Sequence, residues 1–574
     1  MKKLGIFFLL LAMAASAFYG YMHFWPSSET ALYNATGIPQ VYYEGHQLDL
    51  SEPYRMVGNE VLVSLELAEI MTNVHYYWDR TEETLVATTY DYVYRFQPGR
   101  DFLMENGRPV DLPIPMTVEG NVPYLPVAFL NNHLSMEWQL RQEDQVLVIE
   151  EKRPCRMWAE VITEAPVMRQ APAVKAPMFE ETLVPGDRLM VYETYEKWLK
   201  VRNEAGLIGY IQKKDVRRYE ECAEISTRSL ANRSPRQDTK GKISLVWEHV
   251  HQVNPSTAGL VPLPGVDVVS PTWYEIADES GAVSSNISQA YLNWALTHGY
   301  EVWPLVSNGF NPDRTSAFLA STSIRETIID QLLESVLQHG MHGLNIDFEN
   351  VYLDDRDHVT QFVRELTPLF REAGLVVSMD VTIRSTSEMW SMFYDREALG
   401  EIVDYIVVMT YDQHWGSSPV AGSVAQYQWV ENGIKGILEQ VPAEKVLLGL
   451  PFYTRMWEEK EVDGQITVSS QALSMNQVQQ IITGRNLEVV WEEESGQYYT
   501  EYTEGGSRFR IWVEDARSID LKSSLVHRHQ LAGTASWRRG FESQEIWGVL
   551  AHNLKEMDDY VAWAHARQEW DRIF

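Results

Sequence analysis

The stretch Gly343-Leu344-Asn345-Ile346-Asp347-Phe348-Glu349-Asn350 alternates apolar and polar residues. Read as a strand, it sends Leu344, Ile346 and Phe348 to one face and Asn345, Asp347 and Glu349 to the other. Two acids and an amide on one buried face are costly without a task. A polar layer with a structural role is the bland alternative. Side chains two apart on a strand are about 6.6 Å apart at Cα and approach a bound molecule from the same side. Two carboxylates that must flank a scissile glycosidic bond from opposite faces cannot be placed that way. The spacing suits one acid/base, Glu349, supported by Asp347, with the nucleophile supplied by the substrate through an N-acetyl carbonyl. Acid work near neutrality requires a raised Glu349 pKa, and both burial and the Asp347 charge push in that direction.

Such a strand needs a scaffold. From residue 242 to 574, short apolar runs alternate with helical patterns. Strands are expected at Ile243–Trp247, Val266–Thr272, Glu301–Val306, Gly343–Phe348, Leu375–Thr382, Asp404–Thr410, Val446–Pro451 and Leu531–Trp537. After the fourth, Val359, Phe362, Val363, Leu366, Leu369 and Phe370 recur at helical spacing, and Gly374 closes that helix. Eight apolar strands separated by helices predict an α/β (β/α)8 TIM barrel. Asn345, Asp347 and Glu349 then climb toward the strand's C-terminal end, where barrel active sites lie. The interval from Tyr453 to Leu531 is too long for a plain βα unit and predicts a small inserted α+β subdomain at about 455–528.

The acidic strand resembles the signature of family 18 glycoside hydrolases, D-G-x-D-x-D-x-E on the fourth barrel strand. Gly343, Asp347 and Glu349 match it, while His342 and Asn345 replace the first two aspartates. It is closer still to the spore-cortex and cell-wall N-acetylglucosaminidase branch, whose strand reads N-I-D-F-E-N. Ser270–Trp273, Ser378–Thr382, Met409–Asp412, Gly449–Tyr453, Trp512–Ser518 and the strand ending at Trp537 continue the likeness in order. The resemblance implies that Glu349 protonates the glycosidic oxygen and later activates water. It implies that Asp347 orients the acetamido group and stabilises an oxazolinium intermediate, and that Tyr411 hydrogen-bonds that group. Asp412 and Met409 would contact substrate, and Trp537 would floor the pocket. Asn345, unable to titrate, is expected to hydrogen-bond Asp347 and hold it. His342 reads as packing, and His414 as a loop residue able to touch substrate. No metal or cofactor is expected. The implied activity is retaining, substrate-assisted hydrolysis of β-1,4 bonds next to N-acetylglucosamine in bacterial peptidoglycan. The alternatives are a chitinase or a barrel that binds glycan without cutting it.

Residues 38–152 hold a weak internal repeat. Val61–Leu65 leads to Trp78 and Thr84–Ala87, and Val122–Pro126 leads to Trp138 and Gln145–Val148. Each copy reads as strand, short helix, strand, strand, and resembles the small repeat of copper amine oxidase N-terminal domains. Residues 155–218 read as short strands with a Pro185-Gly186-Asp187 turn, and resemble a small all-β bacterial SH3-like barrel. Trp198 and Tyr210 there either contact ligand or fill its core. Residues 219–241 read as a polar linker.

Acids outnumber bases 80 to 48, for a formal charge of -32, which argues against nucleic acid as a partner. Lys2 and Lys3 precede an apolar run from Leu4 to about Trp25, so residues 1–27 read as a membrane anchor or a cleaved signal peptide. Both place the rest outside the cytoplasm. Cys155 and Cys222 flank the SH3-like segment. They either form a disulfide, as an oxidising compartment permits, or remain free thiols. Oligomeric state is not legible.

Overall fold

A computed structural model describes residues 2–223 and 241–573. The chain divides into two compact units, residues 2–87 with 94–223, and residues 88–93 with 241–573.

The first unit opens with a helix, Lys2–Phe24. Its strongly apolar part, residues 4–18, extends only about 22 Å at the α-helical rise, short of the roughly 30 Å hydrocarbon core of a bilayer. Tyr19, Gly20, Tyr21 and His23 follow it. Among the described residues no helix is long and apolar enough to cross a membrane, so the anchor read from residues 1–27 is not supported.

The two repeat copies take the same form. The first is strand Glu60–Ser64, helix Leu65–Met71 and strands His75–Asp79 and Thr84–Thr88. The second is strand Val122–Pro126, helix Val127–His133 and strands Met136–Arg141 and Val146–Glu151. Ser64 starts the first helix, its Oγ accepting from Leu67 N at 3.2 Å. The copies join through antiparallel pairing that sets Tyr124 opposite Ser64 and Pro126 opposite Leu62. Leu62, Val63, Leu67, Leu125, Phe129 and Leu130 are fully buried.

Residues 155–222 form a five-stranded antiparallel sheet of Cys155–Val161, Arg188–Thr194, Trp198–Arg202, Ile208–Gln212 and Val216–Cys222. The last strand overturns the start of the expected linker. Residues 216–222 pair along the whole of 155–161, and the rest of that linker, 224–240, lies outside the described residues. Trp198 is buried and Tyr210 packs on Tyr195 at 5.6 Å between ring centres.

Cys155 lies directly opposite Cys222 in this pairing, and the two form a disulfide closing a separation of 67 residues. Loop-closure entropy for a ring of that size is worth about 4 kcal/mol. A Cys155→Ser/Cys222→Ser variant is therefore expected to lose hydrogen-exchange protection in strands 188–212. Protection of the strands of the second unit should be retained.

The second unit is a closed parallel barrel. Its strands are Ile243–Glu248, Val268–Pro271, a third in two pieces (Glu301–Val302 and Leu305–Ser307), Gly343–Asp347, Val376–Thr382, Tyr405–Met409, Val446–Pro451 and Gly533–Trp537. The eighth pairs with both the seventh and the first, which closes the ring. Leu245, Trp247, Trp303, Leu305, Tyr405, Val407 and Leu447 fill the interior. Gly343 leaves room for Trp303, since a Cβ there would stand 2.9 Å from the indole and 2.5 Å from the Val376 carbonyl. Between strands seven and eight the chain forms a five-stranded antiparallel sheet over residues 453–513 with one helix, Met475–Arg485.

Candidate active site

The barrel interior is apolar at its base and polar toward the C-terminal ends of its strands, so the chemistry gathers at one mouth. Strand four supplies Asn345 and Asp347 to the inside, with Glu349 just beyond its end. Asn345 is fully buried and fully engaged. Its Oδ1 accepts from Trp247 Nε1 at 2.9 Å and Ser270 Oγ at 3.4 Å. Its Nδ2 donates to Ser378 Oγ at 3.0 Å and Asp380 Oδ1 at 2.7 Å.

That arrangement corrects the expected partner. Asn345 holds Asp380 on the neighbouring strand, not Asp347 on its own. Ser378 stands beside Asn345 in the register of strands four and five, and Asp380 lies diagonally beyond it, so the Asn345 Nδ2 reaches both Ser378 Oγ and Asp380 Oδ1 across the strands. Removing the amide would strand a buried indole N–H and a buried hydroxyl, so Asn345→Ala is expected to cost roughly 2–4 kcal/mol. A lower urea midpoint with an unchanged m-value would register it.

Asp347, half-buried at the end of the strand, is held differently. Among the described residues its buried Oδ1 has no hydrogen-bond partner, and burial pushes its carboxyl up to about 7. Burial also holds Glu349 well above the usual carboxylate range, with the Asp347 and then the Asp412 charge adding to the effect. Both effects favour the protonated form of Glu349, the form a proton donor needs. Its backbone is pinned by Asn308, whose Oδ1 accepts from Glu349 N at 3.2 Å and whose Nδ2 donates to Glu349 O at 2.8 Å.

The other expected residues fall around this pair. Met409 ends strand six, and Tyr411 follows it, its hydroxyl pushed up by burial and by Asp380. Asp412 is exposed in the left-handed conformation, φ 58°. Tyr453 donates to Asp412 Oδ1 at 2.6 Å, and Arg455 stands 3.7 Å away. Trp537 ends strand eight with its ring edge-on to Trp247 at 5.8 Å. His342 lies at the strand's base, Nδ1 3.3 Å from Val302 N. His414 is a loop fastener, its Nδ1 2.7 Å from the Ser423 carbonyl and its ring against Gly422.

Three side chains at the mouth were not singled out from sequence. Asp380 faces inward from strand five, only 1% exposed. Tyr394 donates to the Phe348 carbonyl at 2.8 Å, between the two acids in sequence. Arg455 comes from the inserted sheet. The Ser378-Met379-Asp380 alternation could have revealed Asp380; Tyr394 arrives from a loop and Arg455 from a strand of the inserted sheet, and neither carries a local signal.

Residues 297–542 match Glycosyl hydrolases family 18, and residues 42–149 match the Copper amine oxidase N-terminal domain. The chain is 25% identical over 290 residues to the uncharacterized glycosylase YvbX of Bacillus subtilis (strain 168), covering 48% of this chain and 82% of that protein. It is 26% identical over 251 residues to the cortical fragment-lytic enzyme of the same organism, covering 43% of this chain and only 58% of that relative's length. The spore cortex-lytic enzyme SleL of Bacillus megaterium shares the fold, with a TM-score of 0.50 at 18% identity over 56% of this chain and 76% of that one.

Proposed function

We propose that this chain, a glycoside hydrolase carrying a family 18 domain behind a copper amine oxidase N-terminal domain, cuts β-1,4 bonds next to N-acetylglucosamine in bacterial cell-wall or spore-cortex glycan. The observation that carries the mechanism is the placement of Glu349, whose protonated form burial and Asp347 favour, beside Asp347 on one side of the barrel mouth. Glu349 gives its proton to the glycosidic oxygen. The substrate's own acetamido oxygen attacks the anomeric carbon from the other face, which keeps the configuration at the end of two inversions. Asp347, ionised, compensates the positive charge of the resulting oxazolinium ion, and Tyr411 steers the acetamido group. The Glu349 carboxylate then takes a proton from water, which opens the ring. Met409 and Asp412 line the site, and Trp537 offers an apolar face to the sugar.

The relatives named for lysis of cortical fragments support a wall glycan, and the disulfide fits action outside the cytoplasm. We read the 155–222 sheet as an SH3-like module that would hold the enzyme near the wall. The test is product analysis of the full chain on peptidoglycan, spore cortex and chitin oligomers. New reducing N-acetylglucosamine ends from the wall substrates support the proposal. Cleavage of chitin oligomers alone would move the substrate to chitin, and binding without cleavage of any glycan would leave a glycan-binding barrel.

A further inference from the structure

Strands four and five run in parallel register with Asn345 beside Ser378 and Ile346 beside Met379. The next pair along is Asp347 and Asp380, both inward and one strand spacing, about 4.8 Å, apart. Asp380 is 1% exposed, and among the described residues it has no cationic partner. Its Oδ1 accepts from Asn345 Nδ2 at 2.7 Å. The groups facing it are acids and phenols: Asp347 at the end of strand four and Glu349 just beyond it, Tyr394 after strand five, and Tyr411 after strand six. The guanidinium of Arg396 donates to the carbonyls of Ser391 and Thr382 and lies over the Tyr394 ring.

Three carboxyls this close and this dry cannot all be charged. Glu349 needs a proton for the leaving oxygen, and Asp347 must be an anion to meet the oxazolinium charge. We propose that Asp380 holds a second proton on Oδ2 and donates it as a hydrogen bond to the Asp347 carboxylate, supplying from strand five the proton-holding partner that Asn345 cannot be. Asp380 is then a positioning residue, with Asn345 fixing which of its oxygens is free to carry the proton. The proton stays on Asp380 through turnover, and only Glu349 exchanges one with substrate and water. A raised Asp380 affinity for protons, caused by burial and then by Asp347, is consistent with this.

The inference rests on the proposed hydrolysis, so its test has one arm that needs none. Difference infrared spectroscopy of the full chain at pH 6 should show a protonated carboxyl band that disappears in Asp380→Asn and persists in Glu349→Gln. In the kinetic arm, Asp380→Asn and Asp380→Leu should move the acid limb of kcat to higher pH, Leu further than Asn. At pH 6 kcat should fall about tenfold more than at pH 8, as one unit of displacement requires. The swapped variant Asn345→Asp/Asp380→Asn should bring the limb back toward wild type. An acid limb left in place by both single variants, or a carboxyl band untouched by Asp380→Asn, would overturn the proposal. If the band behaves as expected but no glycan is cut, the proton-holding role stands and the hydrolytic reading fails.

Discussion

Glu349→Gln is expected to lower product formation by about 10³-fold or more while leaving the fold intact. A positioned general acid contributes about 10²–10⁴, and Glu349 acts twice, first as acid and then as base. The amide keeps the side chain's size but cannot deliver a proton. Stability should not suffer. The wild-type carboxyl is buried beside Asp347, both environments disfavour its ionised form, and the amide removes that burden. The two measurements to pair are initial rates on wall glycan and the thermal midpoint. A large loss of rate with an equal or higher Tm assigns the proton donor. A loss of rate that follows a fall in Tm would mean that the residue is structural.

Much of this was legible because the barrel writes its period into the sequence. A strand buried on both faces reads as a short apolar run, and eight such runs between helical patterns admit few other architectures. The alternation of Asn345, Asp347 and Glu349 told which face they share. What alternation could not tell was lateral pairing. Which strand-five residue sits beside Asp347 depends on register, and register is set by how the two strands pack. Hence Asn345 was matched to the wrong aspartate. Arg455 was beyond reach for a related reason: it reaches the mouth through a sheet whose strands pair distant segments, Met456 with Ile511. The repeat domain was legible because its two copies share one strand-helix-strand-strand pattern. The end of the 155–222 sheet was not, since the closing strand Val216–Cys222 is polar at most positions.

Asp347→Asn should lower kcat by about 10²–10³-fold, the scale of losing one charge aimed at a developing cation, and it should reshape both pH dependences. In the wild type, activity rises as Asp347 ionises, near pH 7, and falls as Glu349 loses its proton at higher pH. The amide has nothing to ionise, so the acid limb disappears. The alkaline limb moves down, because the Asp347 anion that helped Glu349 keep its proton is gone. Stability gives the sign independently. Asp347 binds its proton more tightly folded, at about 7, than unfolded, at about 4. Its favourable contribution is therefore complete below about pH 4 and is lost as pH rises to about 7. Above that window the native state carries a desolvated charge costing on the order of 2–4 kcal/mol. The Tm of Asp347→Asn minus that of wild type should grow from pH 4 to pH 7 and then level. A flat difference would mean that Asp347 ionises in the barrel as easily as in water. In that case the hydrogen bonds it receives would offset its burial, and the need for a proton on Asp380 would vanish with it.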